Sequence, residues 1–238
     1  MSEKIEKFED SEMDKFPLVT KSHTLFKSTH TQVQAKADDP TFTRSITYDQ
    51  YDLHIGAFDG DELGMQKICH VLSGAAGNIT NDSMLRVQIA SGGGYVTEGL
   101  KLYNVLNNIF ADCTTVLDPF GYSMGALTFV MGETRVIYKD SEIMFHDYGS
   151  GNFGKAGELI SHLEHESKHV RSFFRRVIME ERGKFLTEKE FEQMLLGKDF
   201  WFGPEEMLRR GIATHIIIDG VEVSAKKYLK KNKKKKKK

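Results

Sequence analysis

Gly121-Tyr122-Ser123-Met124-Gly125 joins the apolar run Cys113 to Leu117 to the apolar stretch Gly125 to Met131. The first run reads as a strand and the second as a short helix, with Gly121 and Gly125 letting the backbone turn sharply between them. A strand, a tight turn and a helix in that order are the unit of an α/β domain. The turn also places a serine hydroxyl at a helix N-terminus, where developing negative charge is favoured.

The same alternation extends in both directions. Tyr51 to Ala57 reads as a strand ended by Asp59-Gly60, and Asp61 can cap a helix that turns Leu63, Ile68, Val71 and Leu72 inward. Leu85 to Ile89 is a strand leading into Ser91-Gly92-Gly93-Gly94, and a helix follows with Leu100, Tyr103, Leu106 and Ile109 at helical spacing. Thr134 to Tyr138 and Ile143 to His146 are strands. The longest helix runs from Ala156 to Arg182, with Leu159, Leu163, Val170, Phe174 and Val177 on one stripe and Gly183 at its end. Thr187-Glu188-Lys189-Glu190 is a capping box. Gly203-Pro204 opens a further helix that Gly211 closes, and Ile212 to Ile218 is a strand turned by Asp219-Gly220 toward Val221-Glu222-Val223. Residues 45–223 therefore predict one α/β domain with helices packed on a sheet.

The ends differ in composition. Residues 1–44 are polar without clear periodicity and read as a flexible extension. Residues 224–238 hold the lysine block and read as a disordered tail. The ten lysines within residues 226–238 come without an acid, which leaves the rest of the chain at −11 against an overall −1. Such a block could touch nucleic acid, a membrane surface or an acidic partner; a solvated tail is the simpler reading. No stretch approaches the ~20 apolar residues of a membrane span, so no membrane insertion is expected. The charged opening MSEKIEKFEDSEMDKF does not read as a secretory signal. Cys69 and Cys113 read as free thiols in a reducing compartment, which places the chain in the cytoplasm.

A serine hydroxyl is a weak nucleophile until a base accepts its proton. His146, ending an apolar strand 23 residues after Ser123, offers that base. Acyl transfer also needs donors for its oxyanion. The unshielded backbone N–H groups of Gly92-Gly93-Gly94 end a strand able to lie beside the serine strand. Glycine loop, serine turn and strand-end histidine together point to a hydrolase working through an acyl-serine.

Ser91-Gly-Gly-Gly94, Gly-Tyr-Ser123-Met-Gly-Ala126 and Ile-Met-Phe-His146 resemble the proteolytic subunit of the Clp protease. That family has a Ser-Pro-Gly-Gly loop, an Ala-Ser-Met-Gly elbow and a Met-Ile-His strand at this spacing. Lys198-Asp199-Phe-Trp-Phe-Gly-Pro-Glu-Glu-Met-Leu-Arg-Arg-Gly211-Ile looks like the family's acidic segment before its final helix, and the resemblance spans about residues 46–219. It implies a serine endopeptidase with Ser123 as nucleophile, His146 as general base and Asp199 orienting the imidazole. Gly94 and Met124 would supply the oxyanion N–H groups. The implied fold is a crotonase-like spiral of ββα units, with the helix near 156–182 as a protruding handle. The implied assembly is a homo-oligomeric ring, two stacked heptamers enclosing a chamber, fed by an AAA+ unfoldase. No cofactor is implied, ATP being used only by the unfoldase. Gly92 stands where the family has proline, and Tyr122 where it has a small residue.

Rival readings concern the same residues. Asp147 is a local alternative to Asp199, but neighbours on a strand point to opposite faces. His165-Glu166-Ser167-Lys168-His169 matches the zinc-protease signature, with Glu188, Glu190 or Glu192 as a third ligand. Ser167 and Lys168 favour a solvated helix face instead. The α/β-hydrolase order of serine, acid and histidine would require Asp199 and His215, with too few strands after Ser123. A processing peptidase acting without an unfoldase, or a non-catalytic assembly protein on the same fold, is the functional alternative.

Overall fold

In the computed structural model, residues 16–36, 39–60, 64–76, 83–110, 113–151 and 153–235 are described. In chain order the strands are β1 (Leu18–Val19), β2 (His23–Lys36), β3 (Asp39–Ile55), β4 (Met84–Ser91), β5 (Cys113–Tyr122), β6 (Thr134–Tyr138), β7 (Glu142–Phe145), β8 (Phe200–Phe202), β9 (His215–Ile218) and β10 (Val221–Ser224). The helices are α1 (Gly64–Ala75), α2 (Val96–Ile109), α3 (Met124–Met131), α4 (Ala156–Arg175), α5 (Glu188–Met194), α6 (Pro204–Arg210) and α7 (Ala225–Lys235).

The expected α/β alternation produces parallel pairing at the centre, β3–β4–β5–β6–β9, with antiparallel β1 and β2 at one edge and β10 at the other. Along β4 the residues Leu85, Val87, Ile89 and Ser91 are buried, every second position, as a strand with one core face requires. β5 serves two neighbours along one edge. Thr114–Leu117 pair with β6, and Phe120–Tyr122 pair with β7. Asp118 and Pro119 lie between the two ladders, where a residue lacking an N–H interrupts pairing. β7 then pairs antiparallel with β8, so β5, β7 and β8 form a branch from the main sheet. Fully buried Phe129, Phe145, Phe173 and Phe185 lie in the core beneath.

Several expectations are corrected. Residues 16–44 are not structureless where described: β2 and β3 pair from His23↔Ile55 to Ala35↔Thr43. Before Gln50, β3 has β2 as its ladder partner and no β4 residue opposite it, so the two form a ribbon beyond the sheet. Cross-strand polar pairs help hold it, including Thr29 Oγ1 donating to Asp49 at 2.7 Å and the Lys27–Asp49 ion pair at 3.1 Å. A polar composition hid these strands because a two-stranded ribbon needs no continuous apolar face. Residues 1–15, and the Asp61 cap and Leu63, lie outside the described residues. The tail expected to be disordered is helical through Lys235, anchored by Ala225, Tyr228 and Leu229 at helical spacing against the core. Lysines toward a helix C-terminus also complement its dipole, which offsets their repulsion.

The helix at 96–109 buries Gly99, Leu102, Val105 and Leu106, with Leu100, Tyr103 and Ile109 at the margin, so its inward face is rotated from the expected stripe. α4 ends at Arg175 and passes into a π-helical turn, Arg176–Glu180. Its buried residues are Val170, Phe173 and Phe174; Leu163 remains 42% exposed. In the first half of the predicted stripe Leu163 thus faces solvent in the single chain, and Leu159 is half-buried.

Candidate active site

Ser123 closes β5 and caps α3 with φ 54°, one of two non-glycine residues at positive φ among those described. Side-chain sterics make that conformation costly, and strain of this kind collects where geometry matters. The Ser123 N–H donates to the Met144 carbonyl at 3.0 Å, and its own carbonyl accepts from Leu127 N–H at 3.1 Å. Its hydroxyl makes no capping bond to the helix it opens. A serine serving only as a turn residue would use that hydroxyl as a cap.

The glycine loop presses directly on this turn. Ser91 Oγ accepts from the Gly93 N–H at 3.1 Å, fixing the loop from within. Gly93 has φ +99°, and a Cβ placed there would lie 2.5 Å from Ser123 Cβ and 3.1 Å from Met124 N. Gly94 has φ +139°, and a Cβ there would overlap the Phe58 carbonyl. Phe58 bridges the loop by donating to Gly93 O at 2.9 Å and accepting from Tyr95 N–H at 2.6 Å. That pattern leaves the Gly94 N–H outside the ladder. Met124 is the first residue of α3, so its N–H has no intrahelical acceptor. Both residues line one cleft with Ser123 and His146.

His146 follows β7 directly, and its Nε2 is buried with no hydrogen-bond partner. Ser123 and His146 therefore share the cleft without a bond to that nitrogen, a looseness common before substrate binds. Asp199 precedes β8 and is exposed. The β7–β8 ladder pairs Ile143↔Phe202, Met144↔Trp201 and Phe145↔Phe200. One more step of that register sets Asp199 opposite His146, and residues opposite one another share a face. Asp147 takes a different course: its Oδ1 accepts from the Tyr148 N–H at 3.0 Å.

Tyr122 does not line the cleft. Its hydroxyl donates to Glu142 Oε1 at 2.7 Å, and its ring lies 5.0 Å from both Phe120 and Trp201. The Glu142 carboxylate that accepts its proton raises the phenol above its ordinary range, with burial second. An aromatic before the serine thus ties β5, β7 and β8 together on the far side of the strand.

The rival constellations are not assembled. His165 and His169 are exposed. Glu188 pairs with Lys184 and Arg175, and Glu190 with Arg210. No group of three His, Cys, Asp or Glu able to hold a metal ion occurs among the described residues. His215 sits on β9 beside Thr214, with its Nδ1 3.9 Å from Glu222, away from the cleft. Cys69 is no alternative nucleophile: burial, then Glu98, pushes its thiol up to about 12.

The cleft has a volume of about 610 Å³. Among the lining residues that sequence reasoning did not place at the site is Glu166, which lines the cleft together with Val170 and Phe174. The signal was present. Glu166 sits between Leu163 and Val170 on the same helix, and Glu166, Val170 and Phe174 recur at four-residue spacing.

A family model described as Clp protease matches residues 65–220 of the chain. Two curated relatives are each named ATP-dependent Clp protease proteolytic subunit. The one from Cyanophora paradoxa is 28% identical over 160 residues, covering 64% of this chain and 79% of the relative. The one from Chlorella vulgaris is 26% identical over 137 residues, covering 57% of this chain and 66% of the relative.

Proposed function

The chain belongs to the Clp protease family, and from that premise we propose that it is a serine endopeptidase acting through an acyl-enzyme on Ser123. In this reading the peptide carbonyl enters the cleft with its oxygen toward the N–H groups of Gly94 and Met124. Ser123 Oγ attacks the carbonyl carbon while His146 Nε2 takes the hydroxyl proton. The two N–H groups stabilise the resulting oxyanion. As the C–N bond breaks, His146 returns the proton to the leaving amine. Water then attacks the ester, again giving its proton to His146, and the serine is released. Asp199, from its register position opposite His146, holds the imidazole in the required tautomer.

The observation that carries this reading is the unusual φ of Ser123 in one cleft with the unpartnered Nε2 of His146. Ser123→Ala is expected to lower kcat by up to about 10⁶-fold with the fold retained, the scale seen when a nucleophile is removed. A fluorophosphonate probe should label Ser123. Peptidase activity surviving in the variant, or labelling elsewhere, sinks the assignment.

Family membership supports a further part of this proposal: a homo-oligomeric ring, two stacked heptamers, fed by an AAA+ unfoldase that alone consumes ATP. The exposed Ile160 and Leu163 on α4 support a covered helix face in that assembly. Cys69 and Cys113 as thiols rather than a disulfide support a reducing, cytoplasmic setting. No helix among the described residues is long and apolar enough to cross a membrane. Native mass measurement, and peptide turnover with and without unfoldase and ATP, test ring and partner.

A further inference from the structure

The two faces of α7 meet different surroundings. Ala225, Tyr228 and Leu229 pack against the core, and the helix abuts α6, β9 and β10. The Ala225 N–H donates to the Thr214 carbonyl at 2.8 Å, which fixes the helix start. Lys226, Lys227, Lys230 and Lys231 are exposed. At 3.6 residues per turn they fall within an arc of about 140° opposite the packed face, in two columns of four-residue spacing. Acids on the neighbouring elements are engaged elsewhere. Glu205 pairs with Arg209, Glu206 pairs with Arg209 and Arg210, and Glu222 lies 3.9 Å from His215. Among the described residues, no carboxylate forms an ion pair with any of the four lysines.

Like charges at four-residue spacing weaken a helix. Held on one arc by the packed face, they concentrate a positive potential that a partner of opposite charge relieves. What surrounds the ridge sets the shape of that partner. Outside residues 226–238 the chain carries −11, which is −1 overall minus the ten lysines. A broad anionic surface meets that repulsion. The apolar face that a helix needs to lie in a membrane interface is already packed on the core. A narrow rod of dense negative charge meets the ridge alone, and double-stranded nucleic acid is such a rod, with one charge per about 1.7 Å of axis. We propose that the exposed lysine face of α7 is a docking surface for duplex nucleic acid, held through its phosphates. Lysine is a point charge without the planar fork that reads base edges. Residues 225–238 hold no arginine, and their one aromatic, Tyr228, packs against the core, so no free ring is left to stack on unpaired bases. Binding is therefore independent of base sequence and favours duplex over single strand. It needs neither the cleft nor Ser123, since no α7 residue lines the cleft.

Anisotropy of a fluorescein-labelled DNA duplex of about two helical turns, titrated with the full-length chain between about 50 and 200 mM salt, tests this. Four neutralised phosphates give a slope of log K against log salt of about −3.6, steeper where further lysines engage, so affinity should fall at least about a hundredfold across that range. Two duplexes of unrelated sequence should bind alike, and a single strand of equal length more weakly. Changing Lys226, Lys227, Lys230 and Lys231 together to glutamine keeps helix propensity and the packed face. It should flatten the slope by about 0.9 for each lysine. The single change Lys230→Gln, with its own expected loss of about 0.9, keeps the test valid if the fourfold variant folds poorly. No binding at about 50 mM salt, a slope unchanged in both variants, or preference for single strand overturns the proposal. Tighter binding to poly-glutamate, or to vesicles rich in phosphatidylserine, also overturns it and assigns the ridge to an acidic protein or a membrane.

Discussion

Replacing Gly93 by alanine tests whether the glycine loop and serine turn form one reacting unit. The new Cβ would stand 2.5 Å from Ser123 Cβ, 2.9 Å from Tyr122 O and 3.1 Å from Met124 N. Carbon atoms rest at about 3.5–4.0 Å, so loop and turn must separate by roughly 1 Å. The φ of +99° adds strain of about 1–3 kcal/mol for any residue with a Cβ. All three crowded atoms belong to the turn of the proposed nucleophile or to the proposed oxyanion donor, so the displacement falls on the proposed reacting geometry. A misplacement of about 1 Å costs on the order of a hundredfold in rate. Gly93→Ala is therefore expected to lose about a hundredfold in kcat/KM on a fluorogenic peptide. Its melting temperature should fall by roughly 3–10 °C, the thermal equivalent of that strain in a domain of this size. Gly92→Ala is the internal control: a Cβ there meets no atom within 4 Å. It should stay within about twofold of the parent. Both are assayed well below either melting point. Parental kcat/KM in Gly93→Ala, or an equal loss in Gly92→Ala, refutes the reasoning.

If Asp199 fixes the tautomer of His146, Asp199→Asn should lower kcat by up to about 10⁴-fold with little change in KM. A loss under about tenfold would return Asp199 to a structural role. Stability should also depend on acid through Glu190, which accepts from Arg210 at 2.8 and 2.9 Å and from Thr187 N–H at 2.8 Å. The Arg210 guanidinium, then the Thr187 hydrogen bonds, hold its carboxyl down from 4.5 to about 2. Because the folded value is the lower one, the stabilisation is complete above pH 4.5 and disappears as pH falls through about 2. Allowing for solvent screening, it is on the order of 2 kcal/mol. Glu190→Gln should therefore melt lower than the parent near neutrality and converge with it by about pH 2. A constant difference in thermal melts across that range would contradict the linkage.

Much of this was legible because local chemistry repeats along the chain. The Thr187–Glu190 capping box forms as its spacing predicts, with the side chain of each meeting the other's backbone. Gly211, at φ +73°, ends α6 where the sequence placed it. Ser91 to Gly94, Ser123 and His146 meet because parallel strands deliver their ends to one side of a sheet. What was hidden depends on distant pairing. Phe200–Phe202 is three residues long, too short for any periodicity, yet its register with β7 sets Asp199 across from His146. The β2–β3 ribbon is held by backbone pairing and polar cross-links, which composition does not reveal. Polar Ser167 and Lys168 give the sequence around Glu166 the look of a solvated face, yet Glu166 lines the cleft one turn before buried Val170.

The interruption at Asp118 and Pro119 has a mechanical consequence. The edge of β5 that would hold one neighbour holds two, and the second carries the proposed base, His146, and, through β8, the proposed acid, Asp199. Cavity-forming substitutions in β9, which lies beyond β6, can therefore lower the melting point while the proposed reacting groups keep their spacing. A change at the fork itself does the opposite. The alignment of the proposed site thus hangs on β5, the one strand on which both ladders meet, and on the core that all of them share.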